Sequence, residues 1–175
     1  MGIYNGSSKK TDSIVEDIRK EDTFTLVNIA GDSLPAIGMF NERLVNFAGK
    51  DAYPWNCSVV IKCKDVYTSG LPTDAEAEVL NSFEDYLEVR IADNRDNPNA
   101  IFFGRLSWNS TRELIWKVKD PKPVAAFLQS VMDDTSAVRE IDFIIEIDKD
   151  WKLTEMYSNA IRKKIEINIC LRCPR

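Results

Sequence analysis

Histidine is missing from all 175 residues of the chain. Its absence removes the commonest general base of enzymes and the commonest imidazole metal ligand. It also removes every catalytic pair in which histidine activates serine or cysteine. Catalysis would have to depend on carboxylates, lysine, tyrosine or cysteine alone. The sequence carries no recognisable catalytic apparatus, and we therefore expect a protein that is not an enzyme.

Glycine is scarce as well, with 7 residues, and neither the dinucleotide-binding motif nor the P-loop motif occurs. We therefore expect no cofactor. A zinc site built from the 4 cysteines is disfavoured, because Cys57 and Cys63 would lie roughly 20 Å apart along one strand. Cys170 and Cys173 are two residues apart, but redox motifs with that spacing normally stand at a helix N-terminus.

Long apolar runs and excess positive charge are also lacking. No run approaches the ~20 residues needed to cross a bilayer, and residues 1–10 lack the apolar stretch of a signal peptide. The net charge is −5, from 23 basic and 28 acidic residues, which disfavours nucleic-acid binding because Lys and Arg supply that affinity. We expect a cytoplasmic protein with reduced cysteines that binds neither nucleic acid nor membrane.

The composition is that of one globular domain with a real core, since 44% of the residues are hydrophobic and 29% are charged. Alternating apolar residues predict strands over 53–64, 100–108, 112–118 and 141–147. Apolar residues at helical spacing predict helices over 73–94 and 121–133. Thr73 and Glu76 form a candidate capping box at the first helix, and Asn109-Ser110 supplies a hairpin turn. Asp120-Pro121 supplies a cap residue and a first-turn proline for the second helix.

From residue 53 the predicted order is strand, helix, strand, strand, helix, strand, the β-α-β-β-α-β order of ferredoxin-like folds. We therefore predict an α+β protein with an antiparallel sheet and two helices on one face. The predicted covered face bears Cys57, Val59, Ile61, Cys63, Phe143 and Ile145. Strands near 24–48 should extend this sheet at an edge. Three regions follow: a polar lead-in over 1–22, a single α+β domain over 23–157, and a C-terminal extension over 158–175. An extra helix and an edge strand fit the pattern of the extension.

Tryptophans and acids supply the candidate interaction or ligand residues. An open sheet face would present Trp108 and Trp116, unless the N- and C-terminal segments cover that face. The same open face is predicted to carry Phe102, Leu106 and Ile115.

A second candidate is the acidic cluster at the end of the last strand of the motif. Asp148 and Asp150 stand beside Trp151 and Tyr157, where carboxylates either bind a metal or simply cap the following helix. The alternating residues 165–171 fit a terminal strand that pairs either within the chain or with another chain.

Several short motifs occur in an order that resembles a known family. They are Pro35-Ala36-Ile37-Gly38, Tyr53-Pro54, Gly70-Leu71-Pro72, and Asp148-Lys149-Asp150-Trp151 followed by Tyr157. From about Thr23 to Tyr157 the chain is similar to the bacterial domain of unknown function 695, whose pattern has Asp-Pro at positions 148–149. The resemblance implies no known activity. Similar proteins occur beside domains like regulator of ribonuclease E activity B, which acts by binding its enzyme, so the resemblance implies a binding role.

The leading hypothesis is a non-catalytic protein-binding or regulatory module that docks on a protein partner or on a second copy of itself. One form is an inhibitor or immunity-type protein whose acidic surface covers a basic enzyme. One alternative is a small-ligand-binding domain with a pocket near Trp151 and Tyr157. Another is a carboxylate- or metal-dependent enzyme that uses Asp148 or Asp150.

Overall fold

The computed structural model describes residues 22–30, 34–94, 97–163 and 167–168. Its strands are β1 (Phe24–Ala30), β2 (Ala36–Asn41), β3 (Trp55–Lys62), β4 (Ala100–Trp108), β5 (Thr111–Val118), β6 (Ile141–Ile147) and β7 (Ile167–Asn168). Its α-helices are α1 (Asp74–Ala92), α2 (Pro121–Asp133) and α3 (Glu155–Lys163). Short 3-10 turns occupy Glu42–Leu44, Lys50–Ala52 and Lys152–Thr154. The lead-in up to residue 21, Cys170 and Cys173 lie outside the described residues.

The strands form one open sheet in the order β6-β3-β5-β4-β2-β1-β7. Neighbouring strands are antiparallel, apart from the short parallel pairing of Ile29 and Ala30 with β7. The predicted α+β class is therefore confirmed, and so is the edge extension, since β2 pairs with β4 and β1 with β2. The full strand order differs from that of a four-stranded ferredoxin-like sheet because β2, β1 and β7 continue beyond β4.

The ends of α1 and of the β4–β5 hairpin follow their local sequence signals. Thr73 Oγ1 accepts a hydrogen bond from Glu76 N at 3.2 Å, which is half of the predicted capping box. The Glu76 carboxylate does not complete the box, because it is paired with Arg139 at 2.6 Å. At the hairpin turn Asn109 and Ser110 have φ of 46° and 63°, the left-handed pair typical of a type I′ turn.

Helices α1 and α2 cover one face of the sheet, which we call the helical face. Their apolar stripes pack against the inward side chains of β3, β4 and β5. The buried residues include Cys57, Val59, Ile61, Leu80, Leu87, Leu114, Trp116 and Leu128. Cys63, Phe143 and Ile145 pack against this cluster while partly buried. The face predicted to lie beneath the helices is thus the one that they cover.

The opposite face carries a second buried cluster. Its cover comes from the turns after β2 and from the segment that includes α3, which contribute Leu44, Phe47, Tyr53, Trp151, Tyr157 and Ala160. Much of the face predicted to be open is therefore closed by the segments named in the alternative. Leu106 and Ile115 do lie on this face, but Phe102 and Trp116 belong to the helical cluster.

A β-bulge in β4 explains why Phe102 and Leu106 lie on different faces, whereas Ile115 and Trp116 are neighbours in β5 and point to opposite faces by ordinary alternation. The register shifts between Phe102 and Gly104, so strict alternation beyond Phe102 fails. Gly104 also lets β2 approach closely, because a Cβ there would lie 2.5 Å from Met39 O. No helix of the described residues is long and apolar enough to cross a membrane.

Candidate functional site

Asp148 is held by contacts within the fold, which occupy its carboxylate. Its carboxylate is buried and accepts from Lys117 Nζ at 2.7 Å, and that ammonium, which is also buried, donates to Asn56 at 2.9 Å as well. Asp148 further accepts from the backbone N–H groups of Lys152 at 2.7 Å and Leu153 at 3.2 Å. These contacts cap the turn before α3, which is the alternative role that the sequence left open.

Trp151 and Tyr157 are buried beside this ion pair. The Trp151 indole donates to Tyr53 O at 2.9 Å and stacks on Phe47 with 5.8 Å between ring centroids. Tyr157 stacks on Phe40 at 4.3 Å, and burial is the main cause that raises the pKa of its hydroxyl. Both aromatic side chains fill the second core cluster, so neither presents a ring to solvent.

The remaining predicted site residues are dispersed. Asp150 is exposed and lies 3.6 Å from the Lys152 ammonium. Trp108 is partly buried against the second cluster, whereas Trp116 is buried in the helical cluster, where no hydrogen-bond partner for its indole nitrogen is described. Within the described ranges no three Cys, Asp or Glu residues come together to hold a metal ion.

The cysteines within the described ranges are Cys57 and Cys63, and both are free thiols. Cys57 is fully buried, and this burial raises its pKa to about 12. Burial also raises the pKa of Cys63, with a further contribution from the Glu76 carboxylate. Nucleophilic cysteine chemistry requires a thiolate, which both environments disfavour.

A groove on the helical face brings polar and apolar groups together. It forms because β1 and β2 contribute no buried residue to the helical cluster, so their side chains on that face stand beside α1 without a cover. The groove encloses about 300 Å³. Its lining includes Leu26, Ile37, Met39, Tyr67, Arg105 and Arg112.

The two arginines that line this groove are held in place by two residues of α1. Arg105 Nη1 donates to Asn81 Oδ1 and to Glu84 Oε2, each at 3.0 Å. Arg112 Nη1 donates to the same Asn81 oxygen at 2.8 Å and lies 3.8 Å from Glu84 Oε2. One amide oxygen therefore holds two guanidinium groups close together.

The electrostatics of this cluster are strained by burial. Burial lowers the pKa of Arg112, and the neighbouring positive charge of Arg105 lowers it further. Burial is the main cause that raises the pKa of Glu84, and the two arginines oppose this rise. One carboxylate contacts the two arginines, so the cluster of Arg105, Arg112 and Glu84 carries one more positive than negative charge in a chain that is acidic overall.

The opposite wall of the groove is apolar and open to solvent. Leu26 is 65% exposed, and Ile37 and Tyr67 are also exposed. Ile37 lies opposite Ser107 across the β2–β4 ladder, and Met39 lies opposite Arg105. An exposed apolar wall beside one buried and one partly buried guanidinium group is the arrangement expected of a site for an amphipathic ligand.

The sequence does carry a signal for this cluster. Arg105 and Arg112 take the helical-face positions of a hairpin that was correctly predicted, and Glu84 falls within the apolar stripe of α1. Charged residues at inward positions are rare unless they are paired. The β4 bulge and the strand register bring the hairpin into line with Asn81. Neither can be predicted from alternation and helical spacing alone.

Comparison with known proteins identifies one family, whose model covers most of the described fold. Residues 22–157 match the model of a family of unknown function, DUF695. No curated protein and no solved structure matches the chain. The matched region begins before β1, includes α1, α2 and the groove, and ends within α3. Because it spans well over half of the chain, the protein belongs to the DUF695 family.

Proposed function

We propose that the protein is a cytoplasmic, non-catalytic binding domain that holds a small amphipathic ligand in the groove beside α1. The observation that carries this proposal is the pairing of the exposed apolar wall at Leu26 with the guanidinium groups of Arg105 and Arg112. A volume of about 300 Å³ corresponds to the lower end of small-molecule sites. The ligand-binding alternative is thus retained, at a place other than Trp151 and Tyr157.

The chemistry of the lining supports binding in preference to catalysis. The hydroxyl of Ser107 accepts from Arg112 Nε at 3.3 Å, and a guanidinium group cannot take a proton from a hydroxyl. The Glu84 carboxylate is engaged by Arg105 at 3.0 Å. A nucleophile activated by an adjacent base, which covalent catalysis requires, is therefore missing from this arrangement.

A ligand screen by thermal unfolding tests the proposal. A ligand present at ten times its Kd stabilises the native state by about 1.4 kcal/mol, which corresponds to a rise in Tm of about 3 to 6 °C for a chain of this size. Leu26→Thr removes the most exposed apolar side chain of the groove and substitutes a residue that also favours a β-strand, and we expect it to abolish the rise.

Val89→Thr is the matched control, because Val89 on α1 is 64% exposed and Leu26 is 65% exposed. We expect the control to keep the full rise in Tm. If the ligand-induced rise in Tm falls equally in the Leu26→Thr and Val89→Thr variants, the ligand binds elsewhere.

The protein-binding or regulatory role remains a second proposal, and the exposed edge strand β6 favours it. Ile144 and Ile147 of this strand are 58% and 57% exposed, and β6 pairs with β3 alone among the described strands. Antiparallel pairing of two copies centred on Ile144 would place Asp142 opposite Glu146, which is unfavourable for like charges. A partner with basic residues therefore fits this edge better than a second copy, in agreement with an inhibitor or immunity-type role.

Affinity capture from the source cell tests this second proposal. We expect the native chain and a Val89→Lys control to recover the same stoichiometric partner, and Ile144→Lys to lose it. Recovery of that partner by the Ile144→Lys variant would exclude β6 as the docking edge. Light scattering of the purified protein should give the mass of a monomer. The mass of a dimer would instead favour self-association over a different partner.

The ferredoxin-like assignment is likewise a proposal, restricted to the part of the sheet from β3 to β6. Support comes from the neighbour order β6-β3-β5-β4, in which adjacent strands are antiparallel. Further support comes from α1 and α2, which both pack on the helical face. On this interpretation β1, β2 and β7 are additions, of which β1 and β2 line the groove.

A further inference from the structure

We propose that the groove recognises a carboxylate attached to an apolar group, with Arg105 and Arg112 binding the carboxylate and Leu26 and Ile37 contacting the apolar group. This inference rests on the proposed ligand-binding function and specifies the class of ligand. It also assigns the polar end and the apolar end of the ligand to opposite walls of the groove.

The charges of the cluster favour an anion. Two guanidinium groups share the Asn81 oxygen at 3.0 and 2.8 Å, so their mutual repulsion is built into the fold. Glu84 is the carboxylate that contacts them. Asp74 also lines the groove, but none of the described ion pairs joins it to either arginine. A bound anion would offset the remaining charge in a partly desolvated setting, where ionic hydrogen bonds are strongest.

The unused donors of the arginines point to a carboxylate in particular. Arg112 donates through Nε to Ser107 and through Nη1 to Asn81, and no hydrogen bond from its Nη2 is described. Arg105 Nη2 contacts the Met39 sulfur at 3.8 Å, and a thioether is a weak acceptor. Among the described residues, the Nη2 group of Arg112 has no acceptor and that of Arg105 has only this weak one, and guanidinium geometry matches the two oxygens of a carboxylate.

The apolar wall and the volume restrict what carries the carboxylate. A site of about 300 Å³ holds a small organic acid or the last residue of a peptide, which both present a carboxylate beside an aliphatic or aromatic group. Inorganic anions would leave Leu26 and Ile37 exposed to water. The shared chemistry is thus an apolar monocarboxylate.

Matched acids and amides test this inference. The probes are 4-methylpentanoate and 4-methylpentanamide, which represent a free acid, and N-acetyl-leucine and N-acetyl-leucinamide, which represent a peptide terminus. Titrations are followed by NMR through the arginine Nε–Hε signals of the labelled protein. We expect each acid to bind at least ten-fold more tightly than its amide and to shift the signals of Arg105 and Arg112.

The outcomes separate the inference from the function on which it rests. Equal affinities of acid and amide would overturn the carboxylate assignment and leave the groove as a ligand site. No shift with any of the four probes would also overturn the assignment, while the Leu26→Thr screen decides on the groove itself. If the carboxylate assignment holds, tighter binding of N-acetyl-leucine than of 4-methylpentanoate would identify a chain terminus, and the reverse order would identify a free acid.

A pair of variants tests the surplus charge without any ligand. Met39 lies directly across from Arg105, so Met39→Glu supplies a carboxylate from within the chain, whereas Met39→Gln supplies a neutral group of the same shape. We expect the Glu variant to melt at a higher temperature than the Gln variant and to weaken acid binding at least ten-fold. A Glu variant that melts at or below the Gln variant would overturn the inference.

Discussion

Replacing Asp148 with alanine is expected to lower the free energy of unfolding by about 3–5 kcal/mol, the usual cost of leaving one member of a buried ion pair unpaired. The loss should be large because the Lys117 ammonium is fully buried and has the Asp148 carboxylate at 2.7 Å as its anionic partner. Burial already lowers the pKa of Lys117, against the opposing effect of Asp148. The backbone N–H groups of Lys152 and Leu153 would also lose their acceptor. Denaturant unfolding measures the change.

Asp150→Ala is the control for that experiment. Its carboxylate is 75% exposed and lies 3.6 Å from the Lys152 ammonium, an arrangement that contributes about 0–1 kcal/mol. Combining Asp148→Ala with Lys117→Met removes the stranded charge, so the double variant should be more stable than Asp148→Ala alone. If Asp148→Ala and Asp150→Ala cost the same, the buried pair does not hold the second core together.

Trp151→Ala should be about equally damaging, with an expected loss of about 3–5 kcal/mol. Its ring packs between Phe47 and Phe103 and lies 5.2 Å from the Lys117 ammonium. Trp151→Phe keeps an aromatic ring but loses the hydrogen bond to Tyr53, which is worth about 1 kcal/mol. Unfolding curves of the two variants give the difference.

The backbone at residue 151 provides a diagnostic control. Trp151 has φ of 57°, a left-handed conformation that costs an L-residue roughly 1–2 kcal/mol and glycine much less. Trp151→Gly should therefore be at least as stable as Trp151→Ala, the reverse of the usual order. A more stable alanine variant would show that this conformation relaxes once the ring is removed.

The positions of most strands and helices could be predicted from local sequence patterns. The alternation of Cys57, Val59 and Ile61 identified both β3 and its buried face, because that strand is regular over its whole length. Asp120 and Pro121 marked the start of α2 through a cap that is local to the chain, since Asp120 accepts from Lys122 N at 3.0 Å. Signals of this kind need no tertiary information, and they predicted the α+β class.

The candidate site depended on tertiary information that local pattern does not contain. Trp116 and Ile115 were placed on one face, although neighbouring residues of a strand point to opposite faces. Leu106 was grouped with Phe102, which holds for a regular strand and fails at the bulge next to Gly104. Asp148 and Trp151 looked accessible because their partners, Lys117 and Phe47, are distant in the sequence.

The two buried clusters share β4 and β5, which supply side chains to both faces of the sheet. Substitutions in these two strands are therefore constrained from both sides, and a position such as Phe103 or Trp116 has little freedom to change size. At the ends of the sheet, β6 and the outer part of β1 are packed against one cluster each and carry exposed residues such as Leu26 and Ile144. Variation accumulated by related chains should concentrate at these two edges, which are also the surfaces proposed here for ligand and partner, so recognition can diversify while the central hairpin stays fixed.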